Sequence, residues 1–248
     1  MATPSLRLDA LREWTRVESL IAAEPAPPGP PGAPISPRSL ASRVRALGAS
    51  AALYLLLALL PFLALVRVAV FLYLRHGFPG WVAVLGGVGS AIGLIAVYGA
   101  WWSRRLTGRL HLAWARRVAL ALVLPFAGSA LLYVSSAHAK SEQVRAYYTA
   151  LHPLLRLALA TLILGDRDLV MTDLARRPED YRAMRLPVYD GSLHYVQADG
   201  YVHAADLRTL GRGVVRNGLM QLYFQAMGFQ TLRHVGTAEH LHVELALR

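Results

Sequence analysis

Two histidines and a carboxylate alternate with aliphatic residues near the end of the chain. His240, His242 and Glu244 occupy every second position. The positions between and after them hold Leu241, Val243, Leu245 and Leu247. Because successive side chains of a β-strand point to opposite faces, this pattern predicts a strand with one aliphatic face and one face that carries imidazoles. Core packing explains the aliphatic face, whereas only chemistry or chance explains the other.

The segment 193–207 places two more candidate ligands near each other. Its residues 198–200 (Ala-Asp-Gly) predict a three-residue hairpin loop in which Gly200 is left-handed. In that register, residues whose numbers sum to 398 are opposite each other. His194 and Asp206 are then diagonal neighbours, about 7 Å apart or closer. A two-residue turn instead shifts the register by one position and separates the two side chains.

Together with His242, this pair makes a set of two histidines and one aspartate. Neutral imidazoles and a carboxylate with an open fourth position suit a catalytic zinc, which polarises a carbonyl and lowers the pKa of water to about 7. Glu239 stands three residues before His242 and is a candidate acceptor for the proton of that water. His240 shares a face with His242 and is a candidate donor to a developing oxyanion.

Blander interpretations of these residues stay open. The three candidate ligands could be polar residues on a solvated sheet face. Glu239 could be a turn residue, with Glu244 or an upstream carboxylate as the base, and His240 could lie outside the reacting centre. We expect His203 to be structural, with a reserve role as ligand. Three further histidines are expected at the surface: His138, His152 and His234.

Three short segments follow one another in the C-terminal half of the chain. They are 192–195 (Ser-Leu-His-Tyr), 204–209 (Ala-Ala-Asp-Leu-Arg-Thr) and 239–244 (Glu-His-Leu-His-Val-Glu). In this order they resemble the zinc D-alanyl-D-alanine peptidases, a superfamily of D-Ala-D-Ala carboxypeptidases and dipeptidases, murein endopeptidases and the hedgehog signalling domain. Its members share a Ser-x-His motif, a Gly-x-Ala-x-Asp segment and a closing strand with Glu-x-x-His or His-x-His. They also carry a helix that ends in Gly-Phe, as at 228–229, and the resemblance covers about residues 145–248.

The resemblance implies a role for each candidate residue. The implied zinc ligands are His194, Asp206 and His242. Glu239 would be the general base and His240 would stabilise the transition state. The substrate-binding arginine of the family would be Arg176 or Arg177. The implied substrate is a peptide of the bacterial cell wall.

The chain departs from the family pattern at three places. His194 and Asp206 are twelve residues apart, where the family has seven. Val202 stands where the family has a glycine, and Leu241 stands where it has a tryptophan before the last histidine. These departures favour a divergent substrate or a lost activity.

Three apolar stretches precede this part of the chain. Residues 49–66 carry no charge, and apolar sequence resumes after Arg67 as far as Leu74. The other stretches are 81–102 and 118–137. Because about 20 apolar residues in a helix cross the hydrocarbon core of a bilayer, we predict three transmembrane helices in contact with lipid.

Arginines in the short connections predict the orientation of these helices. The link 103–117 carries five of them, at Arg104, Arg105, Arg109, Arg116 and Arg117. The link between the first two helices has only Arg75, and the segment before the first helix has Arg38, Arg43 and Arg45. The N-terminus is therefore expected inside and everything after the third helix outside. Much of the net charge of +11 reflects this topology, so no nucleic-acid partner is predicted.

The cellular location follows from the same features. The chain has no cysteine, which excludes disulfides and cysteine-based catalysis or metal binding. Its N-terminus lacks the apolar core and cleavage site of a secretory signal peptide, so the first helix is expected to be an uncleaved anchor. We predict a bacterial cytoplasmic membrane protein with its C-terminal domain in the periplasm.

The predicted fold is a three-transmembrane-helix anchor plus an α+β domain with a small antiparallel sheet, like that of the D-Ala-D-Ala peptidases and hedgehog. The predicted domains are 1–47, a cytoplasmic amphipathic segment and Pro-rich linker, 48–137, the three helices, and 138–248, the zinc peptidase-like domain. Within 1–47 we expect an amphipathic helix over 1–22 and a linker over 24–37.

Periodicity and turn residues predict the elements of the last domain. Helices are expected over 141–164 with a kink at Pro153, over 178–184, and over 214–227 with Gly228 as its left-handed cap. Strands are expected over 186–189, 193–197, 201–207, 231–235 and 240–247.

These features lead to one preferred function and two alternatives. The preferred function is a membrane-anchored zinc peptidase acting on peptidoglycan stem peptides. A catalytically divergent domain that binds zinc, wall peptides or a partner is the first alternative. The second is a helix bundle that serves as a subunit of an envelope complex. The sequence predicts no oligomeric state.

Overall fold

The computed structural model describes residues 37–176, 178–183, 185, 191–236 and 239–247. The predicted helix over 1–22, nearly all of the linker over 24–37 and the predicted strand over 186–189 lie outside these residues. The chain forms two units, Met1–Ala52 and Leu53–Arg248. All contacts below lie within the second unit.

Three long helices come first. They are α1 (Pro37–His76), α2 (Gly80–Thr107) and α3 (Leu112–Leu132). All three are long and apolar enough to cross a membrane, which agrees with the expected helical anchor. The helices extend past the apolar stretches because arginine is a good helix former, so the charged flanks stay helical. As a result the connection between α2 and α3 is only 108–111, and α3 ends earlier than expected because Tyr133 is extended.

The remainder is an α+β arrangement. Its helices are α4 (Glu142–Ala146), α5 (Pro153–Gly165), α6 (Pro178–Ala183) and α7 (Val214–Met227). Its strands are β1 (Met171–Asp173), β2 (Ala204–Arg208), β3 (Gln230–His234) and β4 (His240–Glu244). Single 3₁₀ turns cover Ser136–His138 and Tyr148–Ala150.

The helix predicted over 141–164 is wrong as one continuous element. It is divided into α4, a 3₁₀ turn and α5. Proline has no backbone N–H and suits the first helical position, so Pro153 begins α5 rather than kinking a longer helix. The ring of His152 caps that end by accepting the Leu154 N–H at 3.3 Å.

The helix predicted over 214–227 and its cap are confirmed. Gly228 has φ 101°, and its N–H bonds to Phe224 O. Phe229 follows it, is buried, and donates its own N–H to Phe224 O at 3.0 Å.

The four strands form one antiparallel sheet in the order β1-β2-β4-β3. Leu241 and Val243 are buried on one face, as the alternation predicts, while His242 on the other face is only partly buried. The buried side chains join leucines of α5 and Phe224 of α7 in one hydrophobic core. α5 also packs against α2 and α3, so the core continues into the long helices.

Candidate metal centre

Asp206 of β2 and His242 of β4 are directly opposite each other in the central ladder of the sheet. Opposed residues of an antiparallel pair share a face. The Nδ1 atom of His242 lies 2.8 Å from Oδ1 of Asp206. Two of the three predicted ligands are therefore positioned by strand pairing alone.

His194 reaches the same place from a turn. The predicted hairpin is confirmed at its tip, where Val196 pairs with Val202 and Gly200 has φ 83°. The segment 193–197 nevertheless consists of turns and a single bridge rather than a strand. His194 therefore meets Asp206 from the turn instead of across a ladder, with Nε2 3.3 Å from Oδ1.

The three ligand atoms converge on one point. Nε2 of His194, Oδ1 of Asp206 and Nδ1 of His242 all lie within 4.8 Å of one another, and His194 and Asp206 are buried. The two ring nitrogens are 3.4 Å apart. Ligand atoms about 2.0–2.1 Å from a tetrahedral zinc lie about 3.3 Å from one another. Two of the three separations match that value, and the third is shorter.

The contacts of His194 show how this cluster could hold a metal ion. Its Nδ1 lies 2.7 Å from the carbonyl oxygen of Leu174, so Nδ1 carries the proton. A neutral imidazole has one N–H, and Nε2 faces the acceptor Oδ1 of Asp206 at 3.3 Å, so either a second proton or a metal ion must lie between these two atoms. A cation between these two atoms turns a repulsive contact into a favourable one. Such a backbone partner is the usual outer contact of a metal-binding histidine.

Asp206 is held by a second outer contact. Arg176 Nη2 donates to Oδ2 of Asp206 at 2.9 Å, and Arg176 Nε donates to Asp173. This leaves Oδ1 of Asp206 directed at the two histidines. Asp173 ends β1, and Leu174 and Arg176 follow it, so this short strand supplies the outer contacts. β1 is absent from the predicted elements because three residues are too few to show an alternating pattern.

The surroundings keep Asp206 ionised. Burial raises the pKa of this carboxyl, but hydrogen bonds from His194 and His242 and the charges of His194 and His240 outweigh burial, so the pKa lies well below its ordinary value. Burial lowers the pKa of His242. Its hydrogen bonds to Asp206 and Glu244, together with their negative charges, raise the pKa by more than burial lowers it, so the pKa lies above its ordinary value. Glu244 Oε2 is 3.4 Å from His242 Nε2.

The two residues with predicted catalytic roles are placed differently. His240 lies beside the cluster, with Nε2 3.7 Å from Oδ1 of Asp206, and its ring stacks on His234 at 4.5 Å. Glu239 is not brought into the cluster. Its Oε1 accepts a hydrogen bond from Arg233 Nη2 at 2.6 Å, which holds the pKa of Glu239 below its ordinary value. The roles of Glu239 and His240 stay predictions.

The expectation for His152 is wrong, because this residue is buried rather than at the surface. The sequence contains a signal for the position of His152: a residue directly before a proline that opens a helix is in capping position.

The expected substrate-binding arginine has one candidate among the described residues, Arg176, which is bound to Asp173 and Asp206. The other candidate, Arg177, lies outside them.

No protein-family model matches this chain, and neither a curated protein nor a solved structure matches it. Its own structure defines the class: three helices able to span a membrane, joined to an α+β part with a cluster of two histidines and one aspartate that could hold a metal ion.

Proposed function

We propose that this chain is a membrane-anchored zinc peptidase of the D-Ala-D-Ala peptidase type that acts on peptidoglycan stem peptides. The observation that carries the proposal is the convergence of His194, Asp206 and His242. These residues also occupy the ligand positions of the motifs that resemble that superfamily. Zinc held there supplies Lewis acidity towards a peptide carbonyl and towards water.

Each residue around the cluster has a task in this proposal. His194, Asp206 and His242 hold the ion, and the Leu174 carbonyl and Arg176 orient two of them. A carboxylate must accept the proton of the attacking water. Glu239 holds that position in the motif, and Glu244 is the carboxylate seen beside His242. In this proposal His240, which lies beside the cluster, donates to the developing negative charge.

The location belongs to the same proposal. From the arginine pattern we infer that the α+β part lies outside the cytoplasmic membrane of a bacterium, where cell-wall peptides are found. The three long apolar helices support membrane anchoring.

Metal content and peptide cleavage test this function together. The full chain, purified in detergent, is assayed for zinc and for cleavage of synthetic stem peptides that end in D-Ala-D-Ala. We expect His242→Ala to lose one equivalent of zinc and all cleavage. The matched control is His111→Ala, an exposed histidine in the α2–α3 connection, which should lose neither. Unchanged zinc content in His242→Ala would refute the site.

Two isosteric variants identify the base. Glu239→Gln and Glu244→Gln should both keep zinc, and loss of the base should lower turnover by about two to four orders of magnitude. We expect the loss in Glu239→Gln, as the motif implies. A loss only in Glu244→Gln would move the role to the carboxylate beside His242, and unchanged rates in both would exclude both residues.

One observation favours a second candidate, a zinc-binding domain without catalysis that binds wall peptides or a partner. Glu239 is paired with Arg233, and Arg233 is opposite Leu241 in the ladder, on the aliphatic side of β4. A carboxylate held by this ion pair lies outside the group of three ligand residues. Stoichiometric zinc with peptide binding but no cleavage would select this candidate.

A further inference from the structure

A second cluster of two histidines and one aspartate lies apart from the first. One ligand atom from each of His152, Asp199 and His203 lies within 4.8 Å of the other two. Oδ2 of Asp199 is 2.9 Å from Nε2 of His203 and 3.7 Å from Nε2 of His152. These separations bracket the spacing of about 3.3 Å between ligands of a tetrahedral zinc.

His203 has the same pair of contacts as His194, a main-chain carbonyl at Nδ1 and a carboxylate at Nε2. Its Nδ1 lies 3.2 Å from the carbonyl oxygen of Leu245, and its Nε2 faces the Asp199 carboxylate. Both ring nitrogens thus face acceptors, although a neutral imidazole has only one N–H. The ring is fully buried. Either a second proton or a metal ion must lie between Nε2 and Asp199.

The carboxylate and the second ring are also held in place. Asp199 uses Oδ1 to accept the Tyr201 N–H at 3.1 Å, which leaves Oδ2 for the two histidines. His152 is buried between aromatic rings, 4.9 Å from the ring of Tyr73 and 4.9 Å from that of His203. Coordination through its Nε2 requires the proton on Nδ1, so the hydrogen bond that Nδ1 accepts from the Leu154 N–H at 3.3 Å is lost and these two donors must move apart. That hydrogen bond is long for an N–H donor.

The site has space and a path to solvent. A cavity of about 390 Å³ is lined by all three cluster residues, and Tyr73 and Trp81 line it from the side of the long helices. The chain keeps this space open at Gly80, where a Cβ atom would lie 2.8 Å from Nε2 of His152. A bound ion can therefore complete its coordination with a water or an exogenous ligand from the cavity.

We propose that His152, Asp199 and His203 form a second site for a divalent transition ion of the zinc class. The nitrogen and carboxylate donors suit such an ion. The ion would tie the residue that caps the start of α5 to the turn around Asp199, next to the connection between α1 and α2. This proposal stands on a different set of residues from the first cluster and does not depend on peptidase activity.

Metal analysis of the full chain in detergent tests this proposal. The protein is loaded with zinc and dialysed, and we expect about two equivalents per chain. Asp199→Asn should lose one equivalent. This change keeps the side-chain shape at a position whose side chain is 39% exposed, so the fold is retained. His203→Gln should lose the same equivalent, and His111→Ala should lose none.

The position of the ion separates the possible outcomes. Anomalous scattering at the zinc edge should show a peak between Asp199 Oδ2 and the two Nε2 atoms, and Asp199→Asn should remove it. No peak there, together with a zinc content unchanged in Asp199→Asn and His203→Gln, overturns the site and leaves an imidazolium–carboxylate pair. One equivalent that is lost in Asp199→Asn but kept in His242→Ala would refute the first cluster and support the second.

Discussion

Backbone carbonyls determine that Nδ1 carries a proton in one histidine of each cluster. His194 and His203 each donate from Nδ1 to a carbonyl oxygen, of Leu174 and of Leu245. Each then directs Nε2 at a carboxylate. The sequence shows which residues can bind metal, but a contact with a main-chain oxygen leaves no trace in residue types. The first cluster could still be predicted, because its residues lie in motifs that resemble a known family, whereas no such motif joins His152, Asp199 and His203.

Arg176 offers a test of the outer contacts at the first cluster. Its bond to Oδ2 holds Asp206 with Oδ1 towards the histidines, and loss of such a contact typically lowers metal affinity about 10–100-fold. We expect this decrease in zinc affinity for Arg176→Met, measured by competition with a chelator. The control Arg182→Met removes an exposed arginine of α6 and should leave affinity unchanged. Equal affinities in the two variants would show that Arg176 does not position Asp206.

Short-range sequence patterns predict the helices, turns and strands that depend on neighbouring residues, but they do not predict the elements that depend on tertiary packing. Helix α7 with its glycine cap, the turn at Gly200 and the alternation of β4 follow from short-range patterns and are confirmed. The break at Pro153 was missed because proline suits either a kink or a helix start, and tertiary packing decides between them. The strand β1 was missed because its three residues show no alternation, although it places Leu174 and Arg176.

The end of α7 is also a contact with α1. Gly228 has φ 101°, and a Cβ atom there would lie 3.0 Å from Cγ1 of Val70. Gly211 has φ 78° with open space around it. A left-handed conformation costs a residue with Cβ about 1–2 kcal/mol, so both alanine variants should unfold at lower temperature. Gly228→Ala should lower the melting temperature more than Gly211→Ala, because only its added Cβ would crowd Val70 of α1. Equal shifts would show that the end of α7 is not tightly packed against α1.

Tyr148 connects the end of α3 to the α+β part, and its titration gives a pH test. Its hydroxyl donates to Ala130 O at 2.6 Å, and burial raises the pKa of Tyr148 well above its ordinary value. Because the folded pKa is raised, this stabilisation is fully present below about pH 10 and is lost as the pH rises beyond it. Tyr148→Phe should cost about 1 kcal/mol at pH 8.

The difference in stability between the wild type and Tyr148→Phe should therefore shrink above pH 10. Thermal melting at pH 8 and pH 10.5 measures it. Tyr133→Phe changes an exposed tyrosine and serves as the control. A difference that grows with pH would contradict the assigned cause.

In the whole molecule, the long helices expose an apolar surface and also share one hydrophobic core with the α+β part. Large apolar side chains are exposed along the long helices, among them Leu55, Leu85, Val97, Trp101 and Leu122, as expected where lipid is the solvent. Further along α1, Leu65 to Tyr73 includes buried residues that share a core with the α+β part. The composition predicts the exposed apolar surface of the helices, but only the folded chain shows that they share a core with the α+β part.

The arginine pattern predicts which side of the membrane holds the α+β part. A reporter enzyme fused after Arg248 should be active only outside the cytoplasm, because the arginine-rich link 103–117 is expected to stay inside. The same reporter inserted in that link should be active in the cytoplasm. Cytoplasmic activity of the fusion after Arg248 would overturn the proposed topology. It would also exclude cell-wall peptides as substrates, because the α+β part would then lie on the other side of the membrane.

The central claim is that His194, Asp206 and His242 hold one ion. The most direct measurement is a zinc-edge anomalous difference map of the zinc-loaded full chain. We expect a peak about 2.0–2.2 Å from Nε2 of His194, Oδ1 of Asp206 and Nδ1 of His242. A map with no peak among these atoms, or with His194 turned away from the other two, would contradict it.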